Sequence, residues 1–233
     1  MRVLFIEHDH VSPPGAVAEA FERRGYDIDE MVVVPAERFT SPGLEVCFPD
    51  PMVYDAIVPM GAPWSTYDDA SVGTWVRPEL ELLRAAHAAD VPVLGICFGG
   101  QLLATAHGGT VGPSPDPELG WHVVHSDRPK LVCSGPWFQW HSDRWTVPPG
   151  AVEIARNGAA SQAFVLGHSL AVQFHPELDP PMLEGWLGNG GLRAVEAAGL
   201  NVNSLLARTW AEAPEARSRA HALVNGLLDG HAQ

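Results

Sequence analysis

Lysine is almost missing from this chain. Of its 14 basic residues only Lys130 is a lysine, and against them stand 28 acidic residues, for a formal net charge of −14. A surface so poor in positive charge has little with which to neutralise phosphates, which argues against nucleic acid and an anionic membrane as partners. Cysteine is scarce too. Cys47, Cys97 and Cys133 are widely separated in the 233 residues, giving neither a disulfide framework nor metal-ligand spacing. No run of about 18 apolar residues occurs, and the opening stretch Val3 to Ile6 is too short for a signal peptide. A Gly-rich phosphate loop is also absent. These absences point to a soluble cytoplasmic protein without metal or cofactor.

What is present suits a large α/β fold. Hydrophobic residues make up 46% and charged residues 18% of the chain, enough apolar material for a sizeable core. Val3 to Ile6 and Ile28 to Val34 read as strands flanking a helix that carries Val17, Ala20 and Phe21, a β-α-β start that implies a parallel sheet. Tyr54 to Met60 reads as a further strand, and a helix is expected from about Thr74 to Ala89. Beyond Gly109 the pattern changes to short strands: Trp121 to His125, Leu131 to Cys133, Trp137 to Trp140, Ala151 to Ala155, Gln162 to Leu166 and Leu170 to Phe174. Strands without intervening helices predict an antiparallel extension and hence a mixed sheet. The remainder reads helical, with Asp179 capping a start at Pro180, Asn203 or Ser204 opening a last helix with Leu205, Leu206 and Trp210, and Leu223, Val224, Leu227 and Leu228 packing on the sheet.

The chemistry centres on Pro92 to Ala104. An apolar strand ending at Ile96 meets a helix-like run from Gln101 without a spacer, and Cys97 sits at the junction between Gly95 and Gly99. This is the layout of a nucleophile elbow, in which small neighbours two residues either side relieve crowding in a strained turn. A thiol with a pKa of about 8.5 needs help to become a thiolate, and a helix N-terminus with a nearby histidine supplies it. The competing reading, a small buried core cysteine, is decided by whether a base exists elsewhere.

Gln173-Phe174-His175-Pro176-Glu177 supplies a candidate. Pro176 ends the strand, and residues two apart on extended chain share a side, so Glu177 can orient the His175 ring toward Cys97. Two other stretches invite chemistry. Gly61-Ala62-Pro63-Trp64-Ser65 is a tight turn at the carboxyl edge of the sheet, where backbone amides can hold an oxyanion. Glu7-His8-Asp9-His10 tempts toward a metal, but polar residues at a strand end are ordinary without further ligands. Trp64 and Trp140 are the aromatic candidates for a pocket mouth.

Gly95 to Ala104 together with Gln173 to Glu177 resembles the class I (triad) glutamine amidotransferases. The likeness extends through Met60 to Ser65, Glu118 to Trp121, Trp140 to Asp143 and Pro148 to Ala151, covering roughly residues 1 to 188. It implies a flavodoxin-like three-layer α/β/α fold with a mixed, mostly parallel central sheet. The domain would span 1–188, with a helical C-terminal extension at 189–233. It further implies Cys97 as nucleophile, His175 as acid and base, Glu177 as its orienting group, and the amides of Ala62 and Phe98 as oxyanion donors. Gly61, Gln101, Ser142 and Asp143 would hold a small-molecule substrate, glutamine or a γ-glutamyl compound. Two positions depart from the family pattern: Ala62 replaces the second glycine of Gly-Gly-Pro, and Ser142 the glycine of His-Gly-Asp. No synthase domain follows, so ammonia either passes to a synthase partner subunit or the protein is a plain hydrolase of glutamine or of γ-glutamyl amines and peptides. A regulatory module with weak catalysis is the alternative of another class.

Overall fold

The structure, a computed structural model, describes residues 1–230. The last three residues of the expected C-terminal helical extension lie outside the described residues. In chain order the strands are Arg2–Glu7 (β1), Asp27–Val32 (β2), Ala56–Pro59 (β3), Leu94–Ile96 (β4), Val111–Ser126 (β5), Gly135–Trp145 (β6), Val152–Arg156 (β7), Ser161–Leu166 (β8) and Ser169–Val172 (β9). The helices are Gly15–Arg23 (α1), Asp69–Ala88 (α2), Phe98–Ala106 (α3), Pro180–Trp186 (α4), Leu192–Ala197 (α5) and Val202–Leu228 (α6).

Period-two alternation in β1 builds two cores at once. Val3 and Phe5 face a cluster completed by Val17 and Phe21 of α1 and by Leu223, Val224 and Leu227 of α6. Leu4 and Ile6 face the other side, against Trp75 and Leu83 of α2 and Leu102 and Leu103 of α3. A strand buried on both faces needs helices on both, which is the three-layer α/β/α, flavodoxin-like arrangement. The parallel centre runs β2-β1-β3 and continues to β4 through the parallel bridge between Ile57 and Val93. There β4 pairs in parallel with β9. Antiparallel β8, β7 and the long β5–β6 hairpin extend the sheet, as expected for a mixed one.

Several boundaries differ from expectation. β5 and β6 run well beyond the expected Trp121 to His125 and Trp137 to Trp140, pairing with each other from Val111 with Trp145 to Val124 with Gly135, and α3 starts at Phe98 rather than Gln101. Four further differences have local reasons. Leu131 to Cys133 is a turn closed by the Leu131 and Val132 amides on the Arg128 carbonyl, at 2.9 and 3.0 Å; Leu131 and Val132 are buried, and that apolarity mimicked a strand. α2 starts five residues early, where Asp68 accepts from the Ser71 amide at 3.2 Å. α6 starts at Val202 because Asn201 is the cap, accepting from Ser204 at 3.0 Å. β9 ends at Val172, so His175 and Glu177 lie on a turn rather than on a strand. Asp179 does cap α4, accepting from Met182 at 2.8 Å. Among the described residues no helix is long and apolar enough to cross a membrane.

Candidate active site

The elbow is built by contacts that leave no room for side chains. A Cβ on Gly95 would stand 2.7 Å from the Gly99 carbonyl oxygen, and one on Gly99 only 2.0 Å from that of Pro59. With β4 and α3 this close, Cys97 is forced to φ 49° and ψ −103°, a region that non-glycine residues avoid. Its amide donates to the Val172 carbonyl at 2.8 Å. Sγ lies 3.9 Å from the Trp140 carbonyl and 3.7 Å from Gln173 Nε2, which donates to it.

His175 is anchored through its amide to the Phe138 carbonyl at 2.9 Å. Its Nδ1 lies 2.7 Å from Glu177 Oε1, and the carboxylate is fully buried. Burial opposes charge on the ring, but Glu177 and then Cys97 outweigh it and hold the His175 pKa well above the ordinary histidine value. Nε2 is buried without a hydrogen-bond partner. A Cβ on Gly61 would stand 3.0 Å from His175 Cε1 and 3.9 Å from Cys97 Cβ. The bare backbone of that turn therefore closes on both groups. Among the described residues no carbonyl takes up the Ala62 or Phe98 amide.

The remaining expected residues divide. Gln101 is buried beneath the elbow, its Nε2 3.4 Å from the Asp143 carbonyl and 3.5 Å from Gln173 Oε1, so the two glutamines form a chain ending at Sγ. Ser142 is exposed, whereas Asp143 is buried with its carboxylate taken by Ser65 Oγ at 2.6 Å and the Tyr67 hydroxyl at 2.8 Å. His141 Nδ1 donates to the Asp143 carbonyl at 3.0 Å, and its Nε2 faces Glu118 at 3.2 Å. Burial works to raise the Glu118 pKa, but His141, His122 and Asn157 outweigh it and hold the carboxyl low.

Beside His175 opens a cavity of about 310 Å³, walled by Gly61, Ala62, Phe39, Trp140 and Trp186. Trp186 was not anticipated: it meets the His175 ring edge-on at 5.0 Å, and its Nε1 donates to the Val11 carbonyl and Ser12 Oγ at 3.1 Å each. Only its position a few residues after the His175–Glu177 pair could have hinted at it. Trp140 lines the cavity as expected, but Trp64 does not; it packs against Phe39 and Trp75 at 5.6 and 6.0 Å. Among the described residues no cluster of His, Cys, Asp and Glu could hold a metal ion, and His8 of the Glu7 to His10 stretch turns into the core.

Comparison with known proteins identifies the family. Residues 16–184 match the family "Glutamine amidotransferase class-I". The chain is 37% identical over 131 residues to a glutamine-hydrolyzing GMP synthase of Thermomicrobium roseum, covering 52% of this chain but only 23% of that one. Against one subunit of the glutamine-hydrolyzing GMP synthase of Ignicoccus hospitalis the identity is 34% over 139 residues, 56% of this chain and 70% of that one. A gamma-glutamyl-L-1-hydroxyisopropylamide hydrolase of a Pseudomonas species is 32% identical over 158 residues, 60% of this chain and 51% of its own length. The crystal structure of a glutamine amidotransferase from Methylobacillus flagellatus superposes with a TM-score of 0.85 at 26% identity, over 98% of this chain and 94% of that one. The elbow, the His175–Glu177 pair and the matched sequence place this chain in the class I glutamine amidotransferase family.

Proposed function

We propose that the protein releases ammonia from the γ-carboxamide of glutamine through a γ-glutamyl thioester on Cys97. The observation that carries this reading is His175: Glu177 fixes one ring nitrogen at 2.7 Å, the other is buried and unpartnered, and Cys97 acts on the same ring. Sγ bonds to the amide carbon as the imidazolium gives its Nε2 proton to the leaving nitrogen, and the C–N bond breaks. Water then gives a proton to the now-neutral His175 Nε2 as its oxygen attacks the thioester, the C–S bond breaks back to the thiolate, and glutamate leaves. The amides of Ala62 and Phe98 are suited to the tetrahedral oxyanion, each such donor contributing up to about 3 kcal/mol. Gln101, Ser142, Asp143 and Gly61 are assigned to the glutamyl end. A synthase subunit is the partner class that would consume the ammonia.

A second reading, hydrolysis of γ-glutamyl amides with larger amines, is favoured by the aromatic cavity on the His175 side. Of the four residues assigned to the glutamyl end only Gly61, in the turn beside His175, lines it, and His175 itself, the proton donor to the leaving nitrogen in this reading, lines it too. Ammonia alone has no use for three aromatic walls. The deciding experiment is ammonia release from L-glutamine and amine release from a panel of γ-glutamyl amides, with Cys97→Ala as control. Turnover lost in the variant supports the cysteine mechanism, and the preferred substrate selects between the readings. A Cys97 that neither turns over nor reacts with diazo-oxo-norleucine overturns both.

A further inference from the structure

One buried imidazole has no part in the chemistry of Cys97, His175 and Glu177. His8, immediately after β1, has 0% exposure, its ring stacked on Trp75 at 5.5 Å and meeting Phe98 edge-on at 4.8 Å. Both nitrogens face only groups that accept protons. Nδ1 lies 3.0 Å from the Met60 carbonyl and 3.3 Å from that of Gly61. Nε2 lies 3.1 and 3.0 Å from the two carboxylate oxygens of Glu79 in α2, itself at 0% exposure. A carbonyl cannot donate, so Nδ1 must carry a proton, and the carboxylate behind the ring holds it in that orientation.

The carbonyls so held belong to the turn whose Ala62 amide is assigned to the oxyanion. In a planar trans peptide the C=O and N–H point in opposite directions. Fixing the Gly61 carbonyl toward His8 therefore turns the Ala62 amide away from it, and Gly61 and Ala62 border the cavity shared with His175. Among the described residues no backbone amide donates to the Gly61 carbonyl, which leaves His8 to hold it. The Met60 carbonyl also accepts from Gly99 at 3.0 Å, tying the turn to α3, whose first residue, Phe98, rests on the His8 ring. One imidazole thus braces the residues of both oxyanion donors.

A buried ion pair is a weak source of net stability, because desolvation offsets the attraction. Its placement here has a different use. We propose that His8 and Glu79 are positioning residues that hold the Met60–Gly61–Ala62 turn with the Ala62 amide aimed at the oxyanion formed during attack by Cys97. The proposal rests on the reading of this site as a cysteine amidohydrolase.

The test uses the full chain carrying His8→Phe with Glu79→Met, an apolar pair that keeps the packing, and Glu79→Gln as a milder single variant. Three quantities are compared with wild type: steady-state turnover, the rate of Cys97 alkylation by iodoacetamide, and the Gly61–Ala62 peptide orientation in a crystal structure. Alkylation forms no oxyanion, so it reports on the thiol alone. The expected result is a kcat lower by about ten- to a hundredfold with KM within about twofold, unchanged alkylation, and a rotated or divided peptide. An unchanged kcat overturns the proposal, and so does a parallel fall in kcat and alkylation. If wild type turns over none of the substrates, the reading of the reaction fails by itself. The crystal structure then decides the positioning, and an unmoved peptide overturns it.

Discussion

The carbonyl oxygen of Glu177 occupies the place where a side chain on Gly15 would begin. A Cβ there would stand 2.2 Å from that oxygen, and the neighbouring Ala16 amide donates to it at 3.4 Å. The start of α1 therefore seats the turn that carries the buried carboxylate. Gly15→Ala is strained twice, by this overlap and by a φ of +46°. Displacing Glu177 by even an ångström should cost about tenfold to a hundredfold in kcat. Ammonia or amine release measures the loss, and unchanged circular dichroism would separate it from unfolding.

Glu177→Gln tests the orientation of the imidazole. Burial works against a charge on His175, and Glu177 is the foremost group that overcomes it. A raised folded pKa means that the pair's contribution to stability is present below the unfolded value and is lost as pH rises through the folded one. Without the carboxylate the ring should lose its proton at lower pH, shifting the matching limb of the pH profile of kcat/KM downward. The rate should fall by at least about a hundredfold.

Trp186→Ala asks what the cavity holds. The substitution removes an aromatic wall beside His175. If the cavity receives the amine, KM for a γ-glutamyl anilide should rise about tenfold or more while that for L-glutamine changes less. Equal changes for both would take the cavity out of leaving-group recognition.

Glu7 makes a prediction about stability alone. Burial, then Glu30 and Asp9, push its carboxyl from 4.5 up to about 7. The folded state then binds a proton that the unfolded state has released, so stability falls as pH rises from the lower value to the higher. The whole effect is about 3 kcal/mol. Glu7→Gln should raise the melting temperature at pH 8 and leave it nearly unchanged at pH 4, as thermal unfolding at the two pH values would record.

How much of this was legible in the sequence depended on the distance over which each feature is encoded. The elbow is local: Gly95, Cys97 and Gly99 stand within one turn, and the close approaches of Gly95 and Gly99 explain why glycine was needed. His175 and Glu177 were readable as a facing pair although the strand ends at Val172, because a turn brings them together as well as a strand would. The apolar alternation of β1 told which residues are buried. It could not tell that His8 would meet Glu79, 71 positions away on another element. Tyr67 on Asp143 and Trp186 on His175 are likewise products of tertiary contact, with no periodicity to announce them. At Leu131 to Cys133 burial was legible but the backbone path was not, since buried turns and strands share their apolar residues.

The tie from Trp186 to Val11 and Ser12 joins residues 175 and 174 positions apart beside the cavity. A chain emerging from the ribosome would carry the elbow long before it could wall in His175, so the cavity is completed late in synthesis. The same tie offers the earliest way to lose it. Fraying of α4 alone would strip a wall from the His175 side of the cavity while Cys97, His175 and Glu177 stayed in register.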